Sequence, residues 1–392
     1  MTQDSSPPPF GAAALQSPVR VLVITVVHDP DDARIRYRQL GALLRAGAYV
    51  TYAAPFSAYR REPPAGVTAI DLPRAAGRHR LSAILAGRRL LQREGPGHDV
   101  ALLHDPELLL AVPGMNGRGH PLVIWDVHED TAAALTMKGW LPGPLRPLAG
   151  AAVRATERWA ERHCALLLAE ESYAARFRNP HPVVPNSVIV PTDPPPPPGT
   201  DRVVYLGRLT GPRGALEMID LGRRLAPKVT VELIGPTDAD VGPAVLEAHR
   251  RGWVRYHGFV PNREALGLLR GALAGLSLLH DEPNYATSRP TKVMEYMAFG
   301  VPVVTTPNPA SAELVNRYES GVVVPFQDPS AAAEAVLALR RDQDRRQKLG
   351  RAGRAGAVRD LDWRTDGKRF GELLRAWALA ARPAPADPNL RP

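Results

Sequence analysis

The chain has 392 residues, 49 basic against 40 acidic side chains, a formal net charge of +9, 44% hydrophobic residues and one cysteine. At about 100–200 residues per domain this length suggests two or three domains, each able to bury its own core, which excludes a disordered chain. No apolar run approaches the roughly 20 residues of a membrane-crossing helix, and a lone Cys164 supports neither an internal disulfide nor a thiolate zinc site.

Residues 1–17 hold acid, serines and prolines where a secretory leader needs a positive charge and an apolar stretch, so they are expected to be disordered and the chain cytoplasmic. Val21 to Val27 is a β-branched apolar run, followed by a polar loop (His28 to Asp32) and a helical pattern through Leu40, Leu43 and Leu44. Gly47 stops that helix, and Val50 to Ala54 reads as the next strand. Around a helix-like stretch lie Arg74, Arg78, His79, Arg80, Arg88, Arg89 and Arg93, which read either as a solvated face or as attraction to acidic lipid or an anionic acceptor. Arginine is otherwise spread along the whole chain, as in Arg340 to Arg354, so no nucleic-acid-binding face is expected. Val100 to Leu103, Leu122 to Trp125 and Ala165 to Ala169 are further strand candidates, and Leu145 to His163 is an amphipathic helix. This alternation argues an α/β domain, Rossmann-like, over residues 18–190.

Residues 191–199 include five consecutive prolines, Pro194 to Pro198, a stretch suited to an extended interdomain linker. Alternation resumes over 200–362, a second Rossmann-like domain. Val203 to Leu206, Val229 to Ile234, Leu276 to Leu279 and Val301 to Thr305 read as strands; Gly214 to Leu225, Arg263 to Ala274 and Thr291 to Phe299 read as helices. Residues 363–381 form a last amphipathic helix, and the proline-rich 382–392 are expected to be a disordered tail. Ligands of open α/β sheets bind outside the carboxyl ends of the strands, so the expected site is a deep cleft between the domains.

Three segments carry chemistry. In Asn284 to Val304, Pro290 suits a first helical turn whose free N–H groups receive an anion; Lys292 is placed to neutralise a diphosphate and Glu295 to accept from a ribose diol. An ordinary surface ion pair on a capped helix is the other reading. In Tyr205 to Gly214, a strand enters a glycine-bearing loop, where Gly207 allows close backbone approach and Arg208 and Arg213 offer two planar cationic forks. A loop with solvated arginines is the plain alternative. In the first half, His104-Asp105 and His128-Glu129-Asp130 each put an imidazole beside carboxylates at a strand end, with His104 the preferred sugar contact. No His-x-x-x-His pair occurs, and Asp29-Pro30-Asp31 and Asp238-Ala239-Asp240 are patterns too short to carry a metal assignment. No metal ligand is expected.

Taken in order, HDPDDARIR (His28 to Arg36), HDPELL (His104 to Leu109), DVHED (Asp126 to Asp130), GRLTGPRG (Gly207 to Gly214) and PTKVMEYMAFGVPVV (Pro290 to Val304) resemble the retaining, GT-B fold glycosyltransferases of family 4. The likeness runs from about Val19 to Leu379. It implies two Rossmann-like domains, a nucleotide-sugar donor on the second, an acceptor (glycan, lipid-linked precursor or small molecule) on the first, transfer with retention, and neither metal nor cofactor. By that resemblance His104, Arg208, Arg213 and Glu295 are catalytic. Gly207, Phe259, Val260, Asn284, Tyr285, Ser288, Thr291 and Lys292 hold the donor, and His28, Asp29, Arg34, His128 and Glu129 face the acceptor. Many members carry Glu eight residues before the counterpart of Glu295; here that position is Thr287, so the donor sugar stays open. The same motifs fit a catalytically silent sugar-nucleotide or partner-binding relative, or a sugar-nucleotide epimerase.

Overall fold

The computed structural model describes residues 18–115, 119–128, 146–283, 285 and 291–382. The terminal segments expected to be disordered, apart from Arg382, lie outside the described residues, as do Asn284, Thr287, Ser288 and Glu129. The chain divides into two compact units, Met1–Pro185 with Thr365–Pro392, and Asn186–Arg364.

The first unit is built on six parallel strands: β1 (Arg20–Ile24), β2 (Tyr49–Ala54), β3 (Thr68–Asp71), β4 (Val100–Leu103), β5 (Leu122–Val127) and β6 (Ala165–Leu168). Their order is β3-β2-β1-β4-β5-β6. Val21, Leu22, Val23 and Ile24 of β1 and all four residues of β4 are fully buried, as expected of parallel strands covered by helices on both faces. Chain direction across the sheet reverses between β1 and β4. Loops leaving those two strands therefore diverge and open the crevice in which doubly wound sheets bind ligands.

The second unit repeats the plan with β7 (Arg202–Leu206), β8 (Thr230–Ile234), β9 (Val254–Gly258), β10 (Ala274–Ser277), β11 (Val303–Thr305) and β12 (Gly321–Val323). Their order, β12-β11-β10-β7-β8-β9, is the same winding, and the switch point now falls between β7 and β10. The helix Thr291–Ala298 is fastened beside this point by Tyr296. Its ring lies on Gly275, where a Cβ would fall 2.3 Å from it. Its hydroxyl accepts from the Leu206 N–H and donates to the Leu276 carbonyl, both at 3.0 Å, tying helix, β7 and β10 together.

Two expectations need correction. Arg263 to Ala274 is not one helix: a short helix covers Asn262–Gly267, Gly271 adopts φ +70°, and the strand starts at Ala274, earlier than Leu276. Buried Ala272, Leu273 and Ala274 are sheet core rather than a helix face. The proline stretch 191–199 is likewise no free spacer, because it lies within the second unit. A proline run has carbonyls but no N–H groups, so its acceptors cannot be met by the run itself and look to water or to donors elsewhere in the fold. Arg354 donates to Pro191 (2.8 Å), Arg270 to Pro194 (3.2 Å) and Arg346 to Pro198 (3.1 Å). The change of unit comes earlier, at Pro185/Asn186. From Thr365 the helix Trp363–Ala381 belongs to the first unit, where Gly371 packs on Ala46 and Arg382 grips the Asp99 carboxylate at 2.8 Å.

Candidate functional site

In the second unit, β7 ends at Leu206 and the chain turns through Gly207 at φ +134°, a conformation L side chains rarely adopt. A Cβ there would lie 3.6 Å from Lys292 Nζ, so glycine also leaves that ammonium uncovered. Beyond it, the Thr210 hydroxyl accepts from the Arg213 N–H (3.3 Å) in the short turn Gly211–Arg213, and Gly214 at φ +80° starts the helix Ala215–Leu225. These local choices carry Arg213 back over the strand end.

The groups converge on Tyr205. Its buried hydroxyl donates to the Arg208 carbonyl (2.8 Å), and Lys292 Nζ donates to it at 3.1 Å while lying 4.3 Å from its ring centroid. Burial pushes the Tyr205 phenol up to about 12, with Arg213, hydrogen-bonded to it, pulling the other way. Burial also pushes the Lys292 ammonium down to about 7; the positive Arg213 adds to this and Glu295, three residues along the helix, opposes it. Among the described residues two cations are thus held together at a strand end with Glu295 nearby, an arrangement that an added anion would relieve. Glu295 is 9% exposed. Arg208 is paired with Asp238, and Thr291 opens the helix half-buried. Tyr285 is half-buried and within electrostatic range of Tyr205. Phe259, just past β9, is 56% exposed, with half-buried Val260 beside it.

In the first unit, the loops after β1, β4 and β5 meet around two fully buried carboxylates. Asp105 accepts from the Thr25 hydroxyl (3.0 Å), the Val26 and Val27 N–H groups and His28 Nδ1 (2.6 Å), which fixes the loop after β1. Burial would raise its carboxyl, yet His28 and the Val26 N–H hold it below its ordinary value. Asp126 receives a bidentate fork from Arg34, both bonds 2.7 Å, and a third from Gln39 at 3.0 Å. Burial again opposes ionisation, and Arg34 overrides it, holding Asp126 well below the usual carboxylate range.

His104, expected to touch the sugar, is 1% exposed and stands 3.2 Å from Asp126 Oδ2. The imidazoles that reach the surface are His28 and His128, with side chains 16% and 10% exposed. Their Nε2 atoms are 3.0 Å apart. Burial lowers the His128 imidazole below its ordinary value against the pull of Asp126. Arg34, expected to face the acceptor, is 4% exposed and spent on Asp126 and the Val184 carbonyl (3.1 Å). Asp29 is paired with Arg61 at 2.9 Å, Asp31 with Arg36, and Asp32 caps the following helix through the Arg34 and Ile35 N–H groups. The first-loop segment is therefore largely scaffold.

Tyr205, Asp105, Asp126 and Asp238 were not among the expected site residues. Asp105 and Asp126 stood one and two residues from the histidines singled out, and a carboxylate so placed in both motifs was the available signal. Nothing local marks Tyr205, an aromatic residue in an apolar strand.

The model of the family described as Glycosyl transferases group 1 matches residues 200–342. WcaL of Escherichia coli (strain K12), named as a glycosyltransferase of colanic acid biosynthesis, is 26% identical over 182 residues, 45% of each chain, so the match spans about half the length of that curated relative. Sucrose-phosphate synthase from Thermosynechococcus elongatus superposes with a TM-score of 0.71 at 18% identity, over 92% of this chain and all (100%) of that one. Anabaena HepE in complex with UDP-glucose superposes with a TM-score of 0.67 at 13% identity, over 91% and 99%. The paired parallel sheets give this chain the GT-B fold, and its second unit is similar to the group 1 glycosyltransferases.

Proposed function

We propose that the protein transfers a sugar from a nucleoside diphosphate sugar to an acceptor with retention at the anomeric carbon. The observation that carries this is the convergence of Arg213 and Lys292 on Tyr205 at the second unit's switch point, with the ammonium driven down to about 7. A diphosphate placed there would relieve the repulsion between the two cations and restore the lysine's charge. The HepE complex with UDP-glucose makes UDP-sugars the first donors to test.

In this reading the bond from the anomeric carbon to the diphosphate oxygen breaks while Arg213 and Lys292 take up the developing negative charge, and Arg208 joins them by exchanging Asp238 for phosphate. Preorganised donors of this kind are worth roughly 3–4 kcal/mol each in the transition state. The acceptor hydroxyl adds on the face the diphosphate leaves and gives its proton to a departing phosphate oxygen. Charge neutralisation at the diphosphate comes from these side chains, with no divalent cation required at that step. Glu295 holds the ribose, Phe259 and Val260 lie near the base, and Tyr285 and Thr291 flank the donor, with Asn284 and Ser288 completing the set. His28 and His128 meet the acceptor, with Glu129 added to them, while His104, Arg34 and Asp29 support the loops.

A lipid-linked or membrane-borne acceptor is favoured by the helix Arg80–Glu94. Leu81 (73% exposed) and Leu85 (52%) share one face, and exposed Arg78, Arg89 and Arg93 flank them, a pattern suited to an anionic lipid surface. No described helix is long and apolar enough to cross a membrane.

A panel of UDP-, GDP-, ADP- and dTDP-sugars, scored by nucleotide release with and without acceptor and by NMR of the product anomer, tests the assignment. Acceptor-dependent release with a retained anomer is expected. An inverted product refutes retention, turnover without any acceptor indicates epimerisation or hydrolysis, and binding without turnover indicates a silent relative.

A further inference from the structure

The first unit holds a cavity that the proposed sugar transfer does not use. Its volume is about 470 Å³, within the range of about 300–1,000 Å³ common for small-molecule sites, and Phe56, Ser57, Arg60, Arg61, Glu62 and Asp71 are among its walls. These residues follow β2 and end β3, so the cavity belongs to the carboxyl-end side of the sheet. The walls are fixed by neighbours in the fold. Phe56, 5% exposed, meets Tyr52 edge-on with ring centroids 5.3 Å apart. The Ser57 N–H donates to Asp71 (3.0 Å), and the Tyr59 hydroxyl donates to the Val27 carbonyl just past β1 (2.8 Å).

Arg60 stands out among them. It ends the short helix Phe56–Tyr59 at φ +54° and ψ +50°, the left-handed conformation that a helix end ordinarily gives to glycine. A long side chain is kept there against backbone strain, and its guanidinium makes no hydrogen bond or ion pair among the described residues. Arg61 is already engaged, gripping Asp29 at 2.9 Å and lying 3.6 Å from Asp31. The exposed Glu62 carboxylate enters no ion pair among the described residues, and exposed Asp71 has one oxygen to spare beyond the Ser57 N–H. One unengaged guanidinium therefore shares the cavity with two carboxylates. That balance disfavours a phosphate, which the carboxylates repel, and suits a neutral ligand rich in hydroxyl groups. Each hydroxyl both donates and accepts, so neighbouring hydroxyls of a sugar ring can give hydrogens to the carboxylates and accept from the guanidinium fork.

β3 stands two places from β1 in the sheet, about 10 Å at 4.7–4.9 Å per strand. His28, which the proposed function places at the acceptor, follows β1, and the grip of Arg61 on Asp29 joins the cavity wall to that same loop. A single sugar ring does not span this interval, whereas two or three linked rings do. We infer that the cavity is a subsite for a neutral sugar ring of an oligosaccharide acceptor, one or more units removed from the hydroxyl that receives the transferred sugar. This assignment rests on the sugar-transfer reading, and it names the acceptor as a chain of at least two sugars, free or carried on lipid.

The test is binding to the whole chain in the absence of donor, read by saturation-transfer NMR and calorimetry. The probes are malto-, cello-, manno- and galacto-oligosaccharides of increasing length from the single sugar upward, with inorganic phosphate alongside. At least one series should bind more tightly as rings are added, gaining about 10-fold over the single sugar, the scale of hydrogen bonds to charged groups. Arg60→Gly suits the left-handed backbone and should keep the parent's melting temperature, yet return the longer chains to the affinity of the single sugar. Glu62→Gln, an isosteric change on an exposed side chain, should weaken the same chains and decides the matter if Arg60→Gly fails to fold. Leu246→Ser, exposed on a helix of the second unit, should change nothing. Affinity that rises with length in no series, or a rise that survives both Arg60→Gly and Glu62→Gln, overturns the proposal. So does phosphate binding that Arg60→Gly abolishes, the mark of an anion site. Because neither donor nor turnover enters, a chain that transfers sugar but binds its acceptor independently of Arg60 and Glu62 refutes the subsite alone. A chain that binds oligosaccharides as expected and transfers nothing refutes the transfer alone.

Discussion

Lys292 offers the sharpest check on the reading of the second unit. Its ammonium stands at about 7 in the fold against an ordinary 10.5, mainly through burial and secondarily through Arg213. Because the folded value lies below the unfolded one, the native state is penalised at low pH. The penalty is complete below about pH 7 and fades as pH rises toward the unfolded value. At 1.36 kcal/mol per pH unit it is about 5 kcal/mol at full strength and about 3 kcal/mol at pH 8. Lys292→Met removes that cost and forfeits the contact with Tyr205, which is worth about 1 kcal/mol. The variant should therefore melt higher than the parent at pH 7, by roughly 2–4 kcal/mol in stability, and lose most of its affinity for a nucleoside diphosphate.

In the parent chain, a bound diphosphate should re-protonate Lys292. At pH 8 about nine in ten of these side chains are neutral before binding, so binding should take up nearly one proton; at pH 6 it should take up almost none. Calorimetry with UDP, or whichever of GDP and ADP binds, in two buffers of different ionisation enthalpy reads this directly. The same linkage weakens binding about 15-fold between pH 7 and pH 8.5. Proton uptake that is absent at pH 8, or unchanged in Lys292→Met, would refute the claim that this ammonium meets the diphosphate.

Three other expectations are open to measurement. Arg213→Ala should lower turnover by about two to three orders of magnitude with little change in melting temperature, since it removes a donor aimed at the leaving group; turnover within a few-fold of the parent takes Arg213 out of the site. Gly275→Ala drives a methyl into the Tyr296 ring, whose carbon lies 2.3 Å from the Cβ position, and should cost about 1–3 kcal/mol, read as a lower denaturation midpoint. Replacing Leu81 and Leu85 with serine should reduce sedimentation with vesicles of anionic phospholipid while leaving transfer to a water-soluble acceptor intact. Equal sedimentation excludes this face as the membrane contact.

How far the sequence alone reached depends on whether the deciding interactions were local. Strands β1, β4, β7 and β8 are legible as short, mainly apolar runs because both faces of a central parallel strand are buried. Two edge strands, β3 and β12, escape notice: in β3 three of four residues are exposed and β12 has only three residues, so neither shows the burial pattern that marks a strand. The cationic residues of the second unit could be picked out because Gly207, Arg213, Lys292 and Glu295 lie in two short segments whose turn and helix spacing are set by neighbours in the chain.

Pairings across long stretches of chain were settled only by the fold. His28 meets Asp105 across 77 residues, Arg34 meets Asp126 across 92, and Lys292 meets Tyr205 across 87. The order of strands in each sheet brings these partners together, and no periodicity within a segment encodes that order. The prolines of 191–199 illustrate the same division. Their composition dictates an extended chain with unused carbonyls; whether those carbonyls face water or Arg270, Arg346 and Arg354 depends on where a folded domain places three guanidinium groups. Residue type and local spacing thus determined which groups carry charge, whereas tertiary packing determined which charges are already satisfied and which are left for a ligand.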